Sequence, residues 1–500
     1  MYSTLIPVAC FIAFFGYFIV WPFIVYFYDA KGFRKYPSMN AIAGFTDLGF
    51  MYEATKVFRS KRLSELHQKY PVIRIGPNSL SFRGIQAIKD IYGHGTGCTK
   101  DIFYSSLAGT HFHLADVVDK AEHARKRKVL SAAYALKNLE GWEHKVADKA
   151  EKFIRACDAA CTAPLKPGLK TLIPQISPFD YRKYTNFFTL EAIADIGLSE
   201  QLGFMEKGSD ACSAERMDGT LYTAPGARAA LHEGSIAQTC TVWAYPWYKW
   251  NIYITKLFSK RYRDMWELSD NWSDIVWLAL MEDKNGHAHN LDWGEIVAEI
   301  SIMMNAGSDT TAIALVNVMY QLIKNPEVLK KLRDEVDTVL DEDEAVAPYE
   351  KVKHLPYLRA VLDESLRLAP PSSFGLPRRT PAEGCSVGTE YIPGHTTVSI
   401  SAYVAHRDEK VFEDPETFVP ERWLGEKARE LQAGFVAFSA GARGCIGRNI
   451  SYLEQTVLLA SVVHRYEMAL PSKSWVPEVR EGTNLLMKEM PVKVWRRDRD

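Results

Sequence analysis

The chain lacks an excess of either charge: 60 Lys and Arg stand against 61 Asp and Glu, a formal net of −1. That balance excludes the basic surplus a nucleic-acid protein usually carries, and no nucleic-acid partner is expected. Paired cysteines are also lacking. The 8 Cys include no CxxC and no zinc-ligand spacing. Cys157 and Cys161 lie one helical turn apart with no His or Cys partner close in sequence, which reads as two helix thiols. Such usage suits a reducing compartment better than a disulfide framework. Internal repeats and low-complexity tracts are absent, which excludes a solenoid.

The first 28 residues lack any charged side chain. Residues 5–28 read LIPVACFIAFFGYFIVWPFIVYFY. At about 1.5 Å per residue they span roughly 36 Å, enough to cross a hydrocarbon core of about 30 Å. Lys31, Arg34 and Lys35 follow directly, so the positive-inside rule places the remaining chain in the cytosol. A cleaved signal peptide would have a shorter apolar core, leading positive charges and small residues at its end. The expectation is a single-pass transmembrane helix over 1–28 in a lipid bilayer, a linker over 29–45 and one catalytic domain over 46–500.

Apolar content is 47% and the aromatic share 12%, enough for a large core and for apolar pockets. Residues 72–82 alternate around Gly-Pro-Asn and read as a β-hairpin. From about 121 to 340 the pattern is mostly helical, with loop-like breaks near 164–178 and 208–226. Residues 291–323 form one long apolar-periodic run, with Asp292 as N-cap and Asn325-Pro326 as stop. Beyond Pro370 come short strands, a tight turn at 391–395, a strand at 397–403 and a final helix at about 448–466. The fold class is mainly α (α+β), with small peripheral sheets.

Residues 438–447 read Phe-Ser-Ala-Gly-Ala-Arg-Gly-Cys-Ile-Gly, between a loop and the last long helix. A thiolate that ligates a metal in a flat macrocycle needs glycines for close backbone approach. It needs N–H groups at a helix N-terminus and a cation to pair with the macrocycle's carboxylate. Gly441, Gly447 and Arg443 around Cys445 supply these. The segment resembles the haem-binding loop of the cytochrome P-450 superfamily, FxxGxRxCxG, at every fixed position. The resemblance implies the cytochrome P-450 fold and haem b (iron protoporphyrin IX), with Cys445 as axial thiolate and Phe438, Arg443 and Gly447 in the cofactor loop.

Three further segments are similar to the family. Glu364-Ser-Leu-Arg367 with Arg422 resembles its structural Glu-Arg-Arg network. Ala306-Gly307-Ser-Asp309-Thr310-Thr resembles its dioxygen-binding groove. A helix-interior Gly costs about 1 kcal/mol against Ala, and the resemblance gives that groove as the reason. It implies Asp309 and Thr310 as the acid–alcohol pair that delivers protons. His123 and Arg127, four residues apart, match the helix that faces the haem propionates, and Arg378 is a third candidate; relatives often carry Trp where His123 stands.

The implied activity is a monooxygenase that uses O2 and NADPH-derived electrons. No flavin or nicotinamide domain is encoded, so an NADPH-cytochrome reductase is the expected partner, with cytochrome b5 a second. The microsomal type implies the endoplasmic reticulum membrane. Many such members have a Pro-rich hinge where this chain has only Pro37. A rearranging haem-thiolate isomerase or dehydratase would tend to lack the acid–alcohol pair, which is retained.

For substrate, the stretches at 91–97, 121–128 and 374–378 look like the fungal benzoate para-hydroxylase branch and its secondary-metabolism relatives. Specificity is expected from Phe103, Tyr104 and Phe112, from 202–253 with Trp243, Trp247 and Trp250, and from Ser373 and Phe374. Apart from Arg228 and Lys249, these segments hold no obvious unpaired basic residue for a benzoate carboxylate. A small apolar or aromatic secondary metabolite is therefore expected, with a benzoate-type acid as the alternative.

Overall fold

The Gly-Pro-Asn turn closes as its residues demand. Strand β1 (Val72–Gly76) pairs antiparallel with β2 (Ser79–Phe82), Val72 lying opposite Phe82. The structure, a computed structural model, describes residues 14–56, 58–107, 111–134, 136–161, 178–215, 221–224 and 292–498. Among these the largest sheet adds β3 (Thr99–Lys100), β4 (Arg378–Arg379) and β5 (Thr397–Ser399) in the order β1-β2-β5-β4-β3. β2 and β5 run parallel, and the other neighbours antiparallel. One register has a chemical consequence: Lys100 lies opposite Arg378. Like charges facing across a ladder repel, so this pair wants an anion.

Helices make the bulk of the fold. α1 (Trp21–Tyr28) ends where Asp29 turns left-handed at φ 46°. α2 (Lys120–Ala133) starts with the Asp119 carboxylate accepting from Glu122 N at 2.7 Å, an N-cap that satisfies one orphan donor. α3 (Leu136–Ala160) and α4 (Tyr181–Leu198) follow. α5 (Trp293–Lys324) has the predicted bounds within a residue or two, with Asp292 capping Gly294 N at 3.3 Å. Past it come α6 (Pro356–Leu368) and α7 (Arg448–Arg465). α5 crosses the centre. Its Ile313, Leu315, Val316 and Leu322 are buried in one cluster with Phe187 and Phe188 of α4 and Leu453 and Leu458 of α7. Each such side chain contributes about 1.5–3 kcal/mol when taken from water.

Two local expectations change. Residues 208–226, expected as a loop, include an antiparallel hairpin of Cys212–Glu215 with Leu221–Ala224. The strand expected at 397–403 stops at Ser399, because Ser401 Oγ accepts from Val404 N at 3.3 Å and caps a helical turn, Ala402–Ala405.

At the N-terminus, no helix among the described residues is long and apolar enough to cross a membrane. Residues 1–13 of the expected anchor lie outside the described residues. The described part divides into a π-helical turn, Gly16–Val20, and α1. Pro22 lacks the N–H that would extend a regular ladder back across the junction. Residues 29–45 are packed rather than loose. Phe33, Met39 and Ala43 are buried, and the Lys31 ammonium donates to Asn78 Oδ1 at 2.7 Å and Gly394 O at 2.9 Å. The Phe45 ring stacks on Tyr26 with centroids 3.9 Å apart.

Candidate haem site

The Cys445 loop is built by hydrogen bonds that close it on itself. Gly444 N donates to Gly441 O at 3.0 Å, and Cys445 N donates to Phe438 O at 2.9 Å. Gly441 sits at φ +66°, where a Cβ would fall 2.1 Å from the Tyr92 carbonyl oxygen, so no other residue fits. Gly447 has ordinary φ, and nothing lies within 4 Å of where its Cβ would be. It borders open space next to Cys445. Cys445 itself keeps accessible surface. Burial pushes its thiol up, while the Gly447 and Arg448 N–H groups and the Arg127 and Arg448 cations pull the other way.

Among the described residues no cluster of three or more His, Cys, Asp or Glu could hold a metal. Beside the Cys445 loop stand several basic side chains. Arg127 Nη1 donates to Gly444 O at 2.7 Å, and Arg443 donates to Val117 O and Val118 O at 2.7 and 3.0 Å. Arg378 Nη1 donates to the Tyr104 hydroxyl at 3.3 Å, and the Lys100 ammonium donates to Ala115 O.

These bonds run to carbonyls and a phenol, leaving four positive charges close together. Burial, then Arg378 and other neighbours, lowers Arg443 to about 10, and Lys100 falls well below its usual value by burial, then by Arg378, Arg443 and Arg127. Asp116, which burial pushes up to about 7, is a weak counter-charge for Lys100. His123 is buried and lowered to about 3, by burial first and then by Arg443, Lys100, Arg127 and Arg378, so it serves as a neutral ring. Four basic side chains outnumber the nearby carboxylates, Asp116 and Asp119, and that surplus fits a dianionic ligand.

The other expected segment lies in the middle of α5, where Asn305 and Ala306 are exposed between buried Met304 and Ser308. Thr310 Oγ1 donates to Ala306 O at 2.8 Å, the one-turn back-bond expected of it. Thr311 Oγ1 lies 2.9 Å from Ser451 Oγ, tying this turn to α7 just after the Cys445 loop. Asp309 is buried, with Arg182 Nη2 2.8 Å from its Oδ1. At Gly307 a Cβ would fall 2.8 Å from Ile193 Cγ1, so this glycine allows α4 to approach α5 closely.

The cytochrome P450 family model matches residues 50–495. The chain belongs to the cytochrome P450 family. It is similar to benzoate 4-monooxygenase bphA of Aspergillus niger, at 29% identity over 468 residues, covering 88% of this chain and 89% of that protein. Cytochrome P450 monooxygenase efuB of Hormonema carpetanum is 29% identical over 82% of this chain and 81% of its own. Tryprostatin B 6-hydroxylase of Aspergillus fumigatus is 26% identical over 87% of this chain and 76% of its own. Among solved structures, a cytochrome P450DA mutant heme domain shares the fold at TM-score 0.68 and 16% identity, covering 88% of this chain and 93% of that one. The protein is thus an enzyme, a P450 monooxygenase, and the family brings haem on a cysteine thiolate, dioxygen use and a need for a redox partner.

The Glu-Arg-Arg segment of this P450 comes together as a buried network. Arg367 grips Glu364 through two bonds of 2.8 and 2.9 Å, and Arg422 Nε reaches Glu364 Oε1 at 3.1 Å. Trp423 Nε1 and Val419 N also donate to Glu364, at 2.9 and 3.0 Å. Arg367 in turn donates to the carbonyls of His406, Pro415 and Thr417. This pins α6 to the segment leading into the Cys445 loop.

The substrate candidates divide. Phe103 is buried against Tyr104, and Tyr104 joins the cation cluster through Arg378. Phe112 is exposed. Ser373 is fully buried, its hydroxyl donating to Glu481 Oε1 at 3.2 Å, and Phe374 carries Arg59 over its ring at 5.3 Å. Trp243, Trp247, Trp250, Arg228 and Lys249 lie outside the described residues.

Sequence reasoning missed Lys100, Arg182 and Asn484. Arg182 left one signal: a cation in the first turn of a helix opposes the macrodipole, so it wanted a specific partner. Lys100 left none, because only strand register brings it to Arg378.

Proposed function

We propose that this P450 is a membrane-anchored, single-pass enzyme of the endoplasmic reticulum that oxidises a small apolar or aromatic secondary metabolite. Its electrons come from NADPH through a membrane-bound reductase, with cytochrome b5 as an optional donor. The observation that carries the catalytic reading is Cys445, exposed in its glycine-framed loop, beside four clustered basic side chains. In balance, one C–H bond of substrate, dioxygen, NADPH and a proton give the alcohol, water and NADP+.

Bound haem supplies the iron at which dioxygen is activated. Cys445 would hold that iron, with Gly441 and Gly447 giving it room. Lys100, Arg127, Arg378 and Arg443 would bind the two carboxylates, with His123 as a neutral hydrogen-bonding partner. Thr310 and Asp309 would pass protons toward the bound dioxygen from the α5 side. Phe103, Phe112, Ser373 and Phe374 are the wall candidates for substrate.

A second reading, para-hydroxylation of a benzoate-type acid, draws support from the likeness to benzoate 4-monooxygenase bphA. It also draws on Arg59, a buried cation lying over Phe374 and 3.9 Å from Glu481. An optical titration of the ferric protein separates the two. A spin shift at micromolar benzoic acid favours the aromatic acid; a shift only with bulkier apolar metabolites favours tailoring. Cys445→Ala should abolish the thiolate-type absorption of the reduced carbon monoxide complex, and a retained band would sink the ligand assignment. For the anchor, removing residues 1–28 should release protein that otherwise resists alkaline extraction from microsomes. Release of the full chain would overturn it.

A further inference from the structure

Asp309 is gripped at both carboxylate oxygens by side chains from outside its helix. Arg182 Nη2 stands 2.8 Å from Oδ1, and Asn484 Nδ2 stands 3.3 Å from Oδ2. The fully buried Arg182 is itself tied through Nε to the Met487 carbonyl at 3.3 Å. Asn484 and Met487 belong to one hairpin, in which β6 (Val479–Glu481) pairs antiparallel with β7 (Leu485–Met487). Both grips therefore run through that hairpin.

The other side of the hairpin is fixed to residues 371–373. Leu485 N donates to Pro371 O at 2.7 Å, Ser372 Oγ donates to Asn484 Oδ1 at 3.3 Å, and Ser373 Oγ donates to Glu481 Oε1 at 3.2 Å. The Asn484 carboxamide is thus shared. Its oxygen faces Ser372 and its NH2 faces Asp309. A carboxamide is a rigid plane, so a shift of Ser372 turns the NH2 that holds Oδ2. The two grips differ in strength, because a charge-assisted bond at 2.8 Å outweighs a neutral amide at 3.3 Å. The hold on Oδ2 is therefore the one that a shift of Ser372 alters.

We propose that the β6–β7 hairpin couples the wall at 371–374 to proton delivery, with Asn484 and Arg182 as positioning residues for Asp309. This rests on the reading of Asp309 as the acid of the relay. Substrate pressing on the wall moves Ser372, Asn484 follows, and Oδ2 is released toward Thr310, the next residue along α5. A coupling chain of this kind is established only by showing that its members act as one unit.

The test needs no identified substrate. Full-length holoenzyme with its reductase and NADPH is assayed for dioxygen consumed and hydrogen peroxide released. Two electrons and two protons convert dioxygen to peroxide; four of each convert it to two waters, and that route needs the positioned acid. N484L should raise the ratio of peroxide to water several-fold, S372A should move it in the same direction, and the double variant should go no further than N484L. R182K should keep more of the wild-type ratio than R182M. A readout independent of turnover is amide exchange in the ferric holoenzyme, where S372A should speed exchange both at 479–487 and at 305–311. Additive effects of S372A and N484L, or unchanged exchange at 305–311, would overturn the coupling. If D309N alters the ratio while N484L and S372A do not, the hairpin proposal fails and the relay stands. If D309N alters nothing, the relay reading itself fails. Should R182M not fold, N484L and S372A at half-buried positions still decide the matter.

Discussion

Arg127 on α2 donates to the carbonyl of Gly444, the residue before Cys445, at 2.7 Å. One guanidinium thereby fixes the loop that holds the cysteine and adds positive charge close to its sulfur. Arg127→Ala removes both. A hydrogen bond from a charged group is worth about 1.5–3 kcal/mol, so haem should be lost roughly 10- to 150-fold faster to an acceptor such as apomyoglobin. Unchanged loss would show that the loop holds without this bond.

Lys100 faces Arg378 across the sheet and is crowded by Arg443 and Arg127. Without a bound dianion this arrangement opposes folding; with one it is satisfied. Lys100→Met should therefore raise the melting temperature of haem-free protein and weaken haem retention in the loaded one. Shifts of the same sign in both forms would mean Lys100 is an ordinary structural residue.

Glu364 accepts from Arg367, Arg422, Trp423 and Val419. Glu364→Gln leaves a fully buried guanidinium without its counter-charge, at a cost of about 3–5 kcal/mol. Denaturant midpoints should fall accordingly, with the Cys445-type spectrum intact in whatever protein folds. A loss under 1 kcal/mol would argue against the network's structural role.

Buried histidines set an acid limit, His67 and His406 among them. Burial lowers His67 to about 4, and burial followed by the Arg367 charge lowers His406 to about 3. His406 is locked neutral, with Nδ1 3.0 Å from Arg367 O and Nε2 accepting from Val436 N at 2.9 Å. In the unfolded chain both titrate near 6.5. Below that pH the unfolded state binds protons the folded state refuses, so stability is complete above about 6.5 and falls as pH drops toward 4. Each histidine contributes a slope of up to about 1.4 kcal/mol per pH unit. His406→Gln should flatten the acid limb of the unfolding midpoint against pH, and an unchanged limb would mean His406 is already charged when folded.

The sequence by itself determined what depends on neighbours along the chain. Glycines at 441 and 447 frame Cys445 because backbone space is a local property, and the structure shows one strained and one open position there. The Asp292 cap and Asn325-Pro326 stop gave α5 its bounds, because helix ends are settled within a turn. Glu364 and Arg367 meet because i,i+3 spacing puts them on one face. The tertiary structure decided the rest. Lys100 faces Arg378 only through the register of strands about 280 residues apart. Gly307 turns toward Ile193 because of how α5 is rotated against α4. Asp309 meets Arg182 and Asn484 because α4 and the β6–β7 hairpin converge on it. Register and helix rotation are fixed by the packing of whole faces, and no short stretch of sequence carries that information.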